Sequence, residues 1–379
     1  MTKEIKTMSA SLRASLVLEA MRLGVVPAAD LSGYTVGRER EAARIEADLD
    51  QVERDGGAVR AFLADYGVGK THLLEHLQHQ AAQRNFLTAR VVLDAREAAP
   101  SHPQRVYRAL VRSLRYPERP LEEGAGLRPL LEKAVTNDQA RADFEVGTKL
   151  AGRSLRERLD DGMHLYLTPA LSYFEELTGS NAGPDDAATL ALLLDWLEGH
   201  PTVSNQDIDS QLSRRMRGSH RIYSLKDYRP WARIYAYLIS GIARLANQVG
   251  YAGLVILLDE AEFYALLSSE NREYARYLFK ALSCAAVGTD IVPFEAEELE
   301  RGGYGILQEL PTRHSDRSSL YTVFAMTPNA AGIEILEQAV PPGSITEIAP
   351  FAGPQYEELV ARICGFYSDA SLDWNFPPK

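Results

Sequence analysis

Residues 64–71 read Ala64-Asp65-Tyr66-Gly67-Val68-Gly69-Lys70-Thr71. A short apolar run, Val59 to Leu63, precedes them, and a helical stretch from Lys70 to Gln83, with Leu73, Leu74 and Leu77 on one side, follows. Strand, glycine-bearing turn and helix in that order are the context in which backbone amides converge on a phosphate group. Gly67 and Gly69 permit backbone angles and a close approach that a Cβ would block. The helix directs the positive end of its dipole at the same point. Lys70 is predicted to reach the β- and γ-phosphates of ATP, and the Thr71 hydroxyl to ligate Mg²⁺. Tyr66, Gly67, Val68, Gly69, Lys70, Thr71 and His72 form the predicted nucleotide-contacting run. Ala64 stands where the first glycine of the usual pattern belongs, and the competing reading is a glycine-rich turn with an incidental lysine.

A second segment gives that loop a partner. Leu254-Val255-Ile256-Leu257-Leu258 is apolar throughout, as suits a central parallel strand covered on both faces, and ends in Asp259-Glu260. Such a strand is expected beside the phosphate-loop strand. Asp259 then sits on the metal side, often through water, and Glu260 is the candidate general base that polarises the attacking water. Alone, the pair could be a solvated turn. With the loop, it argues for an ATPase of the additional-strand (ASCE) class. A third strand, Tyr321 to Met326, ends in Thr327-Pro328-Asn329. Thr327 or Asn329 is the candidate γ-phosphate sensor; the alternative for either is a turn capping the next helix.

Strands alternating with helices predict an α/β core with a parallel sheet. The full expectation is a P-loop NTPase of the AAA+/ASCE type: a three-layer core, a large helical insertion and a short C-terminal lid remnant. The divisions are 1–56 (N-terminal helices), 57–116 (phosphate-loop half of the core), 117–227 (mainly helical insertion), 228–351 (second half) and 352–379 (truncated lid helix). One or two βα units of ~30 residues would join the loop to the acidic strand; the intervening chain is far longer, hence the insertion. Ile345 to Phe351 forms a strand-Pro-aromatic junction similar to the lid entrance of origin-recognition-type AAA+ proteins. Arg362 is the only arginine beyond it. Arg313 and Arg317 are weak substitutes for a trans-acting finger.

Composition removes other readings. The net charge of −11 argues against a surface that grips nucleic acid everywhere, so any such site must be local. Residues 214–233 supply a candidate: Arg214, Arg215, Arg217 and Arg221 lead a basic stretch interleaved with Tyr223, Tyr228 and Trp231. Its plain reading is a solvated helix face beside core aromatics. Arg105, Arg108, Arg112 and Arg115 would extend the patch if adjacent. Two cysteines make neither a disulfide framework nor a zinc site. No apolar run approaches the ~20 residues of a membrane span and no secretory signal is visible, so a cytoplasmic protein is expected. His72-Leu73-Leu74-Glu75-His76 matches the H-x-x-E-H pattern, but its helix is already committed to phosphate. His72, His76 and His79 are expected to form a polar helix face.

Val36-Gly37-Arg38-Glu39, the Asp65 to Thr71 loop, Tyr251 to Glu262, and Asn271-Arg272 with Tyr274 together resemble the BREX phage-defence ATP-binding proteins of the BrxC/BrxD type. The resemblance runs from about 10 to 365, patchily through the insertion. It implies an AAA+-like ATPase of a prokaryotic anti-phage system, using ATP and Mg²⁺. Implied partners are other defence-system proteins, DNA through the local basic patch, and further copies of the chain. It also implies that Val36 and Gly37 line the adenine pocket, where the plain reading is a helix N-terminus.

Overall fold

The computed structural model describes residues 10–27, 30–119, 124–148, 154–179, 186–213, 224–294 and 310–370. Helices α1 (Ala10–Arg22), α2 (Leu31–Tyr34) and α3 (Glu39–Arg54) lead into strand β1 (Ala58–Leu63). After the loop come α4 (Lys70–Gln83), β2 (Leu87–Val92) and α5 (Pro103–Arg112). The stretch expected to be an insertion contributes α6 (Arg128–Val135), α7 (Asp138–Asp143), α8 (Leu155–Asp160), α9 (Leu167–Thr178) and α10 (Asp186–Leu197). The chain then returns through α11 (Ala232–Gln248), β3 (Leu254–Asp259), α12 (Ser269–Val287), β4 (Leu320–Met326), α13 (Ala330–Ala339), β5 (Ile345–Glu347) and α14 (Gly353–Ala370).

The five strands form one parallel sheet in the order β2-β3-β4-β1-β5. This corrects one expectation. The acidic strand β3 does not lie beside β1; β4 intervenes and pairs with both. Each of β1, β3 and β4 is buried along its whole length, which requires cover on both faces. Alternate residues divide accordingly. Val59, Ala61, Leu63, Ile256, Leu258 and Phe324 join the larger core, with α5, α11, α12 and the insertion. Ala58, Phe62, Val255, Leu257, Tyr321 and Val323 join a smaller one against α3 and α4. The result is three layers.

Other boundaries shift for local reasons. The recurrence of Val106, Leu110 and Leu114 at every fourth position predicts a helix over 104–116, but it stops at Arg112, and Arg115 instead exchanges backbone hydrogen bonds with Thr88 on β2. The sequence also predicts a single helix over 261–286, but it is broken: a 3₁₀ turn, Ala261–Leu266, precedes α12, which starts where the Ser268 side chain accepts from Asn271 N. In the smaller core, Arg60 forms a bidentate pair with Asp48, whose Oδ2 also accepts from the Tyr321 hydroxyl at 2.6 Å. This buried network ties α3 to β1 and β4, and the apolar pattern alone did not suggest it.

Candidate functional site

The C-terminal ends of β1, β3 and β4 meet at one edge of the sheet. The loop leaving β1 exposes Tyr66 (95% accessible) and turns through Gly67 at φ 80° and Gly69 at φ 105°. Both values lie in the left-handed region that favours glycine. A Cβ on Gly67 would meet nothing within 4 Å, so it is backbone freedom and an open approach, not crowding, that glycine supplies here. Gly69 caps α4 without any side-chain hydrogen bond, and the first amide to find a helical acceptor is that of Leu73. The preceding amides of the first turn have no acceptor among the described residues. They are the orphan donors of a helix N-terminus, suited to an anion.

Lys70 extends inward and is only 8% exposed. Its Nζ donates to Ala64 O at 3.3 Å and to Thr327 Oγ1 at 2.5 Å, and lies 3.7 Å from Glu262 Oε1. One ammonium thus touches the phosphate-loop strand, the end of β4 and the segment after β3. Glu260 follows β3 with φ 57°, unusual for a side-chain-bearing residue, and its carboxyl is pushed up by burial and by the carboxylates of Glu262 and Asp259, with Lys70 opposing. Burial also pushes Glu262 upward, but Thr327 and Lys70 outweigh it and hold that carboxyl below the usual range. Glu262 Oε2 is buried with no partner among the described residues.

Asp259 is 3% exposed and both its oxygens are engaged. Oδ2 accepts from Arg90 Nη2 at 2.6 Å, and Oδ1 accepts from Glu260 N at 2.9 Å. Arg90 in turn donates to Glu75 Oε1 at 2.7 Å. Thr71 stands exposed at the first turn of α4. The structure therefore gathers Lys70, Glu260 and Thr327 and separates Asn329 from them in role. Asn329 Oδ1 accepts from Gly332 N at 2.8 Å and caps α13, the alternative weighed above. Sequence reasoning passed over Glu262 and Arg90. Glu262 lies two residues beyond the acidic pair, a visible signal. Arg90 looked like one residue of an apolar strand, and only pairing of β2 with β3 brings it to Asp259.

On the other side of the loop, Val36 is buried and Gly37 has φ 61°. Arg38 is buried between three partners. Nη2 donates to Val68 O at 2.6 Å, Nη1 to Ala349 O at 2.9 Å, and the guanidinium lies 4.5 Å from the centre of the Phe351 ring. It joins the segment before α3, the phosphate loop and the junction after β5. His72 is a correction to the expected polar face. It is half-buried, within 2.9 Å of Thr35 Oγ1 and against the Tyr34 ring, and desolvation lowers its pKa to about 4. His76 and His79 are half-buried too, with burial lowering both. No group of three or more metal-capable side chains occurs among the described residues.

Arg362 donates to Gly33 O and Thr35 O and pairs with Glu358, so α14 fastens to α2. Arg317 donates to Glu53 O just before β4 begins, at the opposite end of the sheet from Thr327. Arg214, Arg215, Arg217 and Arg221, with Tyr223, lie outside the described residues. No described helix is long and apolar enough to cross a membrane.

The residues present fit a nucleotide and its metal. The first turn of α4 offers uncapped amides, a buried lysine faces them, and a buried carboxylate oxygen is unpaired. The Thr71 hydroxyl and the Asp259 carboxylate are hard oxygen donors of the kind Mg²⁺ takes alongside phosphate and water. A family model described as BREX system ATP-binding protein BrxC/D matches residues 10–282 of the chain. No curated protein matches it.

Proposed function

The chain belongs to the BREX system ATP-binding protein BrxC/D family, and on that premise we propose that it is an AAA+-like P-loop ATPase whose ATP turnover drives or gates engagement of DNA or partner proteins in a prokaryotic anti-phage defence system. The reading rests chiefly on the position of Lys70, which is held at the mouth of an uncapped helix and faces Glu260, Glu262 and Thr327. The strand order, with β4 between β1 and β3, supports the additional-strand class.

In this mechanism the amides of Gly67 to Thr71 hold the phosphates, and Val36 and Gly37 line the adenine side. Lys70 exchanges its contact with Glu262 for the β- and γ-phosphate oxygens. Glu260 accepts a proton from the attacking water, and Thr327 orients Lys70 and senses the γ-phosphate. Thr71 and Asp259 are the residues that would hold Mg²⁺, which supplies charge neutralisation on the phosphates. Arg90 holds Asp259 aligned through its hydrogen bond to Oδ2. Arg38 couples loop closure to the Phe351 junction and hence to α14. We assign the protein to the cytoplasm, working with other defence proteins and with further copies of itself.

Steady-state ATP turnover by the purified chain, titrated with duplex DNA, tests the reading. Glu260→Gln should lower turnover by roughly 10²- to 10³-fold while nucleotide binding persists. Lys70→Ala should lose both. Turnover that Glu260→Gln leaves unchanged, or none with or without DNA, would overturn it. A second reading, a nucleotide-gated scaffold with negligible turnover, draws on the engagement of both Asp259 oxygens and on Arg362, whose guanidinium is bound to backbone carbonyls. Tight ATP binding with background hydrolysis and stable partner capture would favour it.

A further inference from the structure

Away from the nucleotide site, the loop after β2 and the outer face of α5 enclose an open cleft of about 750 Å³. Arg96, Arg105, Arg108 and Arg112 line it, against Glu97 and Asp227. In a chain of net charge −11 this is a local reversal of sign. The two acids do not cancel it. Asp227 is already held by Arg105 Nε at 2.8 Å and by His102 at 2.9 Å. The side chains of Arg96, Arg108 and Arg112 have no hydrogen-bonded or ion-paired acceptor among the described residues, although the carboxylate of Glu198 attracts Arg108 and Arg112 at longer range.

The spacing is that of a repeating anion. Arg105, Arg108 and Arg112 share one face of α5, whose opposite face packs Val106, Tyr107, Leu110 and Val111 into the core. A rise of ~1.5 Å per residue sets Arg108 and Arg112 ~6 Å apart along the axis, and Arg105 ~10 Å from Arg112. A single phosphate or nucleotide needs one or two guanidinium forks, whereas a ladder of forks at this interval suits successive phosphodiesters. Gln104, Ala109 and Pro201 complete the lining without an aromatic platform, so bases are not stacked there.

The cleft is wired to the nucleotide site. Leu93 N donates to Asp259 O at 2.9 Å, and the next residue, Asp94, accepts with Oδ1 from the amides of Arg96, Glu97 and Ala98. The loop that presents Arg96 is therefore fastened directly to the acidic strand end.

We propose that this arginine cleft seats the sugar-phosphate backbone of a nucleic-acid strand, without sequence preference, and communicates with the nucleotide site through Leu93 and Asp259. The proposal rests on the ATPase reading only for that communication; binding is tested without nucleotide. Fluorescence anisotropy of a labelled duplex and of a single strand, titrated over salt, is the experiment. Arg108→Gln with Arg112→Gln should weaken binding about tenfold or more and reduce the magnitude of the logarithmic salt slope by about 2 for duplex. Lys70→Ala should bind nucleic acid as the unaltered chain does, even if ATP turnover proves absent. Arg96→Gln, on the exposed loop, should lower the slope by about 1 and serves if the double variant does not fold. Unchanged affinity and slope in these variants would overturn the proposal. So would capture of polyglutamate in preference to either nucleic acid.

Discussion

The two faces of the sheet are built differently. The smaller core, between the sheet and helices α3 and α4, takes both of its helices from segments that flank β1 in sequence, and its cohesion includes the buried Arg60–Asp48–Tyr321 network. The larger core gathers α5, α11, α12 and the whole described insertion, and is rich in buried rings such as Trp196, Tyr107, Tyr166, Tyr235 and Phe144. The first face carries the helix whose N-terminus forms the candidate site. The second carries mass, the arginine cleft and a histidine cluster. Chemistry at the sheet edge and cohesion behind it should therefore respond to different substitutions.

The largest expected effect lies on the heavier face. Trp196 is fully buried with its ring 6.1 Å from that of Tyr166. Trp196→Ala should cost about 3–5 kcal/mol in denaturant unfolding, while ATP affinity of the still-folded protein stays within about threefold. Parallel loss of ATP affinity would break the distinction. Next is acidification. His164 is wholly buried, stacked on Tyr237 at 4.2 Å and beside His314 at 4.8 Å. Gly241 leaves room for it, since a Cβ there would come within 2.2 Å of His164 Nε2. Desolvation lowers His314 to about 4, despite Asp143 and with Arg244 adding to it, and drives His164 well below its ordinary value. Both rings are neutral when folded and take up a proton more readily when unfolded. Stability is accordingly complete above ~6.5 and falls as pH drops toward 4, by roughly 1.4 kcal/mol per unit per imidazole. Urea midpoints across that window check this; a flat profile would remove the cluster from the account.

Smaller effects separate the two polar residues that end β4. Thr327→Val removes the hydroxyl that accepts from Lys70, and turnover should fall about tenfold with little change in stability. Asn329→Ala removes the α13 cap and should cost ~1 kcal/mol in unfolding, with turnover within about threefold. If Asn329→Ala instead lowers turnover as much as Thr327→Val, the cap is not its whole role.

Much of this was legible in the residues themselves. The apolar run before Gly67 and Gly69, the helix after them, and the all-apolar strand ending in Asp259-Glu260 are local patterns. Strand period, glycine freedom and helix dipole act over a few residues, so β1, α4, β3 and β4 appear near their expected bounds, and so does a parallel α/β architecture. What only the folded chain decided are pairings between distant segments. The insertion of β4 between β1 and β3, the hold of Arg90 on Asp259, the reach of Glu262 to Lys70 and the three-way contact of Arg38 all depend on which strands and loops become neighbours. Local propensity is summed over a turn or a strand, whereas a charge finds its partner across the sheet, and no spacing within a segment encodes that choice.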